Sequence, residues 1–454
     1  MIMKNIYLIN YSVKGIKALD EWVHLSFYKK TITNHFDIRN YNIKGIYGTN
    51  GAGKSGIVTS LKILKSLIID DVYLSNPLVQ KQLEEIVNKR TGKLEYNIEF
   101  LVKYEDGLRL YNYLISLGKM NGTRWSVLEE TLYFRKAASH SNRMDMLFHT
   151  NGAVIEYLPD CDETTASLIE RTRNLLSGAS LTAICVSALR ELKNEKTLEL
   201  MFRAGIVFLF LFGLSIFVYL DIEDDHTDFF INEMLKGEID SEQLDKLFEL
   251  REHEIHLKKQ LPLLISVASI DVPLKRLPDF ERQVSELESF LKIFKKNLEK
   301  IVIEKKQDKN NFRCELVMVY PDYSLNAEFE STGIKKLIRL FAYLQKMVEG
   351  NIVFIDELDS NLHDVYLCAM LEYLMEYGEG QLCFTTHNIG PMDILKRNKN
   401  SIDFLSVDKR IYSWTKSGNY SPSKLYRNGM IEGSPFNIDS FDFIGAFDHE
   451  GEEE

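Results

Sequence analysis

The stretch GTNGAGKS, Gly48 to Ser55, decides the fold of this chain. Its spacing is G-x-x-x-x-G-K-S, and an apolar run over residues 43–47 comes immediately before it. Apolar residues at helical spacing follow it, at positions 57, 61, 64 and 68. The order is therefore strand, glycine-rich loop and helix, which is the local context of a phosphate-binding loop.

Each residue type in this loop has a chemical reason. Glycines let the backbone turn with no Cβ in the way, so that consecutive N–H groups face an anion; they are Gly48, Gly51 and Gly53. Asn50 belongs to the same group of nucleotide-binding residues. Lys54 would reach the β- and γ-phosphates, and the Ser55 hydroxyl would bind Mg²⁺. The loop thus predicts ATP and Mg²⁺ as cofactors.

Two later apolar strands end in polar residues that would complete such a site. NIVFIDE, residues 351–357, is a buried strand followed by two carboxylates. Asp356 is expected to hold the Mg²⁺ shell, and Glu357 to act on the attacking water as the base. QLCFTTHN, residues 381–388, is a second apolar strand that ends near His387, which can hydrogen-bond the γ-phosphate.

Just before the Asp356 strand, residues 330–336 read ESTGIKK. Ser331 is expected to cap a helix, and Gly333 permits close backbone approach. A helix N-terminus with exposed N–H groups binds an anion, so these residues are candidate phosphate contacts. An ordinary capped helix is the alternative interpretation of so short a pattern.

The order of phosphate loop, S-T-G, IDELDSNLH and TTHN resembles the ABC/SMC-head ATPases. It is most similar to the short RecF- and OLD-like ATP-binding proteins of bacterial abortive-infection and anti-phage systems, which include the ATPase subunit of PARIS-type defence. The likeness covers most of the chain. It implies an α/β fold, namely a P-loop NTPase of ABC/SMC-head type with a mostly helical insertion between the two halves of the ATPase.

The resemblance also implies a function. The protein would bind and hydrolyse ATP as a conformational switch, form a homo-oligomer of at least two copies, and control a separate effector. The effector would be a nuclease, for example of the TOPRIM type, and the trigger a phage protein or nucleic acid. Ser331 and Gly333 would act on the nucleotide of a second subunit, and Asp359 would lie in a loop that crosses the interface. The signature is S-T-G here, whereas transporters have S-G-G.

These motifs divide the chain into four predicted segments. They are an N-terminal ATPase lobe (1–118), a mostly helical insertion (119–310), a C-terminal ATPase lobe (311–420) and a C-terminal extension with an acidic tail (421–454). The glutamine that links the metal to the helical part in ABC-type ATPases is not assigned; Gln80 and Gln82 are in range. No aromatic residue is assigned to the adenine.

Composition and net charge limit the kinds of partner and the location that can be expected. The chain has 454 residues and a net charge of −11, so any contact with nucleic acid must be local. Five cysteines without zinc spacing, and no signal-peptide pattern, predict a cytoplasmic protein. The uncharged run over residues 205–220 has sixteen residues, short of the roughly 20 that a spanning helix needs, so a buried helix or strand is expected.

Other functions remain as alternatives. A carboxylate group after the apolar run could bind metal in a self-contained nuclease; it comprises Asp221, Glu223, Asp224 and Asp225. A DNA-repair ATPase acting on DNA ends is another, but the acidic balance and the absence of long arms weigh against it. The stretches 239–259 and 279–306 could pair only as a short helical arm. The second stretch is locally basic, and a solvated helix face is the simpler interpretation of that charge. A small-molecule kinase or a GTPase is weaker, since kinases lack a signature helix and no N-K-x-D motif occurs.

Overall fold

The structure, a computed structural model, describes residues 6–33, 35–104, 107–120, 122–137, 143–152, 154–159, 161–176, 178–192, 195–220, 265–308, 311–415, 420–432 and 434. Three sheets and the helices between them make up these residues. Three sequence predictions fall outside the described residues, namely the carboxylate group at 221–225, the helical stretch at 239–259 and the acidic tail at 448–454.

The first sheet has seven antiparallel strands. They are β1 (Ile6–Lys14), β2 (Val23–Ser26), β4 (Lys93–Tyr104), β5 (Gly107–Met120), β6 (Arg124–Lys136), β7 (Asp145–Asn151) and β8 (Val154–Tyr157). Their order is β2-β1-β4-β5-β6-β7-β8. The strands β1 and β2 pair as an N-terminal hairpin, and β4 pairs with β5 along its whole length, from Lys93 to Tyr104.

The second sheet contains the strand that leads into the phosphate loop. Its six strands are β3 (Ile43–Gly48), β9 (Ile216–Tyr219), β14 (Ile352–Ile355), β15 (Gln381–Thr385), β16 (Ile402–Leu405) and β17 (Ile411–Ser413). Their order is β17-β16-β3-β15-β14-β9, and all neighbours run parallel except the pair β16 and β17. The strands β3, β14, β15 and β16 are buried throughout, as expected of a parallel sheet covered on both faces.

Six α-helices lie within the described residues from Lys54 to Ser215. They are α1 (Lys54–Ile69), α2 (Pro77–Ile86), α3 (Glu163–Leu175), α4 (Leu181–Leu192), α5 (Glu195–Arg203) and α6 (Ile206–Ser215). The helix α1 packs against α4 and α6 in one apolar core shared with the first sheet. The apolar run 205–220 forms α6 and β9 and is largely buried, as predicted.

Within the described ranges, no single helix is both long and apolar enough to cross a bilayer. The segment Lys196–Arg203 and the helix α6 reach that length and apolar character only as a pair, and the two are bent by 75°.

The third sheet and the remaining helices form the C-terminal half. The strands are β10 (Ile270–Pro273), β11 (Lys300–Asp308), β12 (Asn311–Val319) and β13 (Ser324–Asn326). The helices are α7 (Leu277–Phe294), α8 (Thr332–Val348), α9 (Asp364–Tyr377), α10 (Met392–Leu395) and α11 (Pro422–Arg427). The helices α7 and α8 share an apolar core with β11 and β12, and α8 also packs against β9 and β14 of the second sheet.

The described part of 119–310 contains both helices and strands, so the prediction of a mostly helical insertion is not confirmed. Residues 124–157 form β6, β7 and β8 and continue the first sheet, and 216–219 form an edge strand of the second. The alternation of apolar and polar residues in β6 and β7 is interrupted by a shift of register between Leu132 and Tyr133. A bulge of this kind breaks the period of two by which strands are identified in a sequence.

The predicted basic helix over 279–306 is also wrong in its second half, because β11 begins at Lys300. The strand contains a short apolar run, Ile301 to Ile303, and charged residues on both sides of that run obscured it in the sequence. Three of the other lysines on which a nucleic-acid patch would depend make ion pairs instead, namely Lys292 with Glu288, Lys295 with Glu330 and Lys305 with Glu281. These pairs favour the interpretation of ordinary packed and solvated faces.

Candidate functional site

The phosphate loop has the predicted strand, loop and helix geometry. β3 ends at Gly48, and α1 begins at Lys54. Gly51 and Gly53 have φ angles of 75° and 115°, a region that L side chains rarely adopt. A Cβ at Gly53 would lie 2.4 Å from the Leu19 side chain, so only glycine fits there without a shift.

Lys54 is held against the loop itself. Its Nζ donates hydrogen bonds to the carbonyl oxygens of Gly48, at 2.8 Å, and Thr49, at 3.1 Å. Burial lowers the pKa of Lys54, and the carboxylates of Asp356, Glu357 and other acidic neighbours oppose that shift. The ammonium group is therefore in electrostatic contact with the carboxylates that the sequence analysis assigned to the same site.

The other predicted loop residues are accessible where a ligand would meet them. Asn50 is exposed at the tip of the loop, and the Ser55 side chain is half-buried in the first turn of α1. Lys409, which the sequence analysis missed, reaches the loop from the turn between β16 and β17 and donates to the Ala52 carbonyl at 3.3 Å. Lys409 has a φ of 64°, and no local motif in the sequence pointed to it.

The two carboxylates lie at the end of β14, two strands from the phosphate loop. Asp356 is completely buried, and its backbone N–H donates to the Tyr219 carbonyl at 2.9 Å. Glu357 is half-buried and has a φ of 46°, which is unusual for a residue with a side chain. Backbone strain of this kind persists only where neighbouring contacts hold it, and it is common at functional sites.

Thr385 holds the Asp356 carboxylate and the backbone at Glu357 in place. Its hydroxyl donates to Asp356 Oδ1 at 2.5 Å and accepts the Glu357 N–H at 2.9 Å. Its carbonyl oxygen also accepts the Leu358 N–H at 3.1 Å. Thr385 is the first threonine of the TTHN motif, but the sequence analysis assigned no role to it. A threonine at the end of a strand beside the Asp356 strand was the available signal.

We expect Thr385→Val to lower the rate of ATP hydrolysis about tenfold to a hundredfold, because hydrogen bonds to charged groups contribute roughly 1.5–3 kcal/mol. Valine keeps the shape of threonine and removes both hydroxyl contacts. Steady-state hydrolysis, with ATP affinity measured separately by calorimetry, checks the effect. Thr385→Ser is the matched control and should retain most of the rate. A valine variant with the parent rate would contradict the role of the hydroxyl.

His387 lies two residues after β15 and is exposed. Its imidazole loses some solvent and faces the Lys54 ammonium, and both effects lower the pKa of His387 against the influence of Asp359 and Asp356. Its usual pKa is about 6.5, so the lowered value leaves the ring neutral at pH 7. A neutral imidazole can donate one hydrogen bond to a phosphate oxygen.

One edge of the second sheet thus gathers most of the predicted site. The phosphate loop follows β3, His387 follows the neighbouring β15, and Asp356 and Glu357 follow β14, which is next to β15. In open parallel sheets, ligands bind at the carboxyl ends of the strands. The arrangement can hold the phosphates of a nucleotide, place a carboxylate near a cation beside them, and aim a second carboxylate at water.

Ser331 and Gly333 have a different setting. Ser331 occupies the N-cap position of α8, as predicted, but its hydroxyl makes no capping hydrogen bond, and the residue is exposed. A Cβ on Gly333 would lie 2.7 Å from the Asn361 carbonyl, so α8 packs closely against the loop that follows the two carboxylates. The Lys336 ammonium in the same turn donates to Ser360 Oγ at 2.8 Å. The N-terminus of α8 is thereby fixed to the Asp359 loop.

Gln80, one of the two glutamines in range for the metal-linking role, makes hydrogen bonds within the fold. The Gln80 side chain donates to the carbonyl oxygens of Leu74 and Trp125 and accepts the Trp125 N–H, at 2.8 to 3.0 Å. Both polar ends of Gln80 therefore join α2 to β6. Gln82 is half-buried in the same helix.

Comparisons with known proteins give little beyond this geometry. No family model and no curated protein matches the chain. Among solved structures, the chain is similar to the Smc head domain with a coiled coil and joint derived from Pyrococcus yayanosii. The identity is 13% and the TM-score 0.42, with 93% of this chain and 100% of that chain covered. At this distance the match does not identify a function, which depends on the residues of the site.

Proposed function

We propose that this chain is an ATP-binding and ATP-hydrolysing switch of the ABC/SMC-head class, whose sites are completed by a second copy. The observation that supports it most is the meeting of the phosphate loop with Asp356, Glu357 and His387 at the ends of adjacent parallel strands. Each group has its own part in the reaction, because Lys54 would bind the phosphates, Glu357 would act on the attacking water and His387 would contact the γ-phosphate.

Magnesium fits the residues that are present. The Ser55 hydroxyl and the buried Asp356 carboxylate are hard oxygen donors, and Mg²⁺ takes few ligands from protein because phosphates and water supply the others. Within the described ranges, no cluster of three or more His, Cys, Asp or Glu side chains offers a metal site made of protein alone. When bound, the ion would neutralise charge on the phosphate oxygens, while Thr385 keeps Asp356 in position.

The N-terminus of α8 is the part of the chain that would contact the nucleotide of a second copy. Its N-terminus has an exposed serine whose hydroxyl does not cap the helix, and a glycine with no side chain. Such an end can accept a γ-phosphate held by a partner subunit, so that ATP joins two copies and hydrolysis releases them. Control of a separate effector, such as a nuclease in anti-phage defence, is proposed from the resemblance of the motifs.

Two single variants test this function, Ser331→Arg and Lys54→Ala, first measured separately and then mixed. The arginine should leave ATP binding within about twofold, because Ser331 is exposed, but it fills the space that a partner's γ-phosphate needs. Hydrolysis should fall by about a hundredfold or more, as when one transition-state donor is lost. Steady-state turnover and calorimetric ATP affinity of the purified variant measure the two effects.

An equimolar mixture of the two variants then separates composite sites from self-contained ones. A mixed dimer has one complete site, with the phosphate loop of one chain and the Ser331 of the other. Random pairing makes about half of the dimers mixed, so about a quarter of the parent turnover should return. Ser331→Ala is the size control. If mixed dimers form and the mixture stays inactive, the composite site is refuted.

A further inference from the structure

Glu330, the residue before Ser331, is a buried carboxylate at the anion-binding end of α8. Its side chain is 2% exposed. The Lys295 ammonium donates to Oε1 at 3.1 Å and to Oε2 at 2.9 Å. The Tyr320 hydroxyl donates to Oε1, and the Ser331 N–H donates to Oε2 at 3.1 Å. Four hydrogen bonds therefore fix a negative charge one residue before the proposed phosphate contact.

This placement creates an electrostatic conflict. A helix N-terminus attracts an anion through its N–H groups and its positive dipole end. A carboxylate in the same place occupies that field and repels an incoming phosphate. Burial disfavours the charged form of Glu330, but the hydrogen bonds from Tyr320 and Lys295 outweigh it and lower the pKa of Glu330. Glu330 is consequently ionised at neutral pH, and its charge must be balanced.

Lys295 is the residue placed to balance it. It lies just past the end of α7, and its ammonium also lies 4.5 Å from the centre of the Tyr320 ring. Other lysines near the start of α8 are engaged elsewhere, since Lys335 Nζ donates to the Glu328 carbonyl and Lys336 Nζ to Ser360 Oγ. Lys292, one turn earlier in α7, pairs with Glu288.

We propose that Lys295 is a charge-compensating positioning residue for the phosphate cap of α8. It cancels the charge of Glu330 and locks its carboxylate, so that Ser331 and Gly333 can receive the γ-phosphate of a second copy. The inference rests on the proposed function, because it requires a phosphate at this helix. By this inference, the third sheet and α7 set how strongly one copy caps the ATP of another.

ATP-dependent assembly of the full chain carrying Glu357→Gln tests this role. Lys295→Met should raise the ATP concentration for half-maximal assembly about tenfold, because the Glu330 charge is left uncompensated beside the phosphate. ATP affinity of the unassembled protein should stay within about twofold, since the phosphate loop is untouched. Mass photometry over an ATP series and calorimetry below the assembly concentration give the two quantities.

Charge rescue distinguishes this role from simple packing. Glu330→Gln removes the repelling charge, so assembly should need no more ATP than in the parent. The double variant Lys295→Met with Glu330→Gln should return to within about threefold of the parent. Lys292→Met, which breaks a nearby surface pair, is the matched control and should change nothing. If Lys295→Met does not fold, Lys295→Gln replaces it with the same expected defect.

Two outcomes overturn the inference alone, namely assembly of the Lys295 variant at the parent ATP concentration, or a double variant no better than the single one. If the mass of the Glu357→Gln parent chain does not respond to Mg-ATP, the proposed function is overturned as well. The parent measurement therefore separates the two failures.

Discussion

Lys54→Ala is expected to abolish ATP binding, with a loss of affinity of at least about a hundredfold. The ammonium is buried against the loop and donates to two of its carbonyl oxygens. With ATP present, the same donors would turn to the β- and γ-phosphates, and charge-assisted hydrogen bonds of this kind contribute roughly 1.5–3 kcal/mol each. Calorimetric titration with Mg-ATP measures the loss.

Alanine also leaves the neighbouring carboxylates without a counter-charge. Asp356 and Glu357 both interact electrostatically with Lys54, so their summed negative charge would repel the nucleotide once the lysine is gone. Lys62→Ala, an exposed change on the same helix, is the control and should bind ATP normally. An unchanged affinity in Lys54→Ala would refute the assignment of the phosphate loop.

Glu357→Gln is expected to bind ATP, to hydrolyse it about a hundredfold to a thousandfold more slowly, and to accumulate the assembled form. Removing a general base typically costs a factor in this range. Glutamine has the same shape, so the strained backbone at this position and its hydrogen bond to Thr385 should persist. The solution mass with and without Mg-ATP, measured by light scattering, reports assembly, and a phosphate-release assay reports turnover.

The two readouts of this variant have separate meanings. Growth from a smaller species to one defined larger species would support ATP-joined sites. A mass that is the same in both conditions would point to a constitutive scaffold, and full turnover would remove Glu357 as the base. Glu376→Gln, an exposed change on α9, is the control for the loss of one negative charge and should behave as the parent does.

Much of the candidate site could be predicted from the sequence because its signals are local. The phosphate loop is eight consecutive residues, and the carboxylate pair and His387 each follow a short apolar strand. Parallel strands place their carboxyl ends at one edge, so finding the strands was enough to bring these residues together. That residues 205–220 are largely buried could also be predicted, from the length and composition of the run.

The features that could not be predicted depend on contacts between residues that are far apart in the sequence. Thr385 matters through Asp356, 29 residues earlier, and Gly333 through its approach to Asn361. Bulges interrupt the alternating pattern by which the strands after residue 120 would be identified. In β11, the many lysines made the segment resemble a solvated helix. Period and composition describe one segment at a time, and these features arise only when two segments meet.

The place of β3 in its sheet has a consequence for synthesis of the protein. Its two neighbours, β15 and β16, come from residues 381–405, and Gln381 bonds both backbone groups of Leu8. During translation the strand that carries the phosphate loop must wait for more than three hundred later residues, roughly 20 to 70 s at common elongation rates. A nascent or prematurely terminated chain cannot complete this sheet. The proposed ATP binding would therefore require a chain synthesised at least as far as β16, which ends at Leu405.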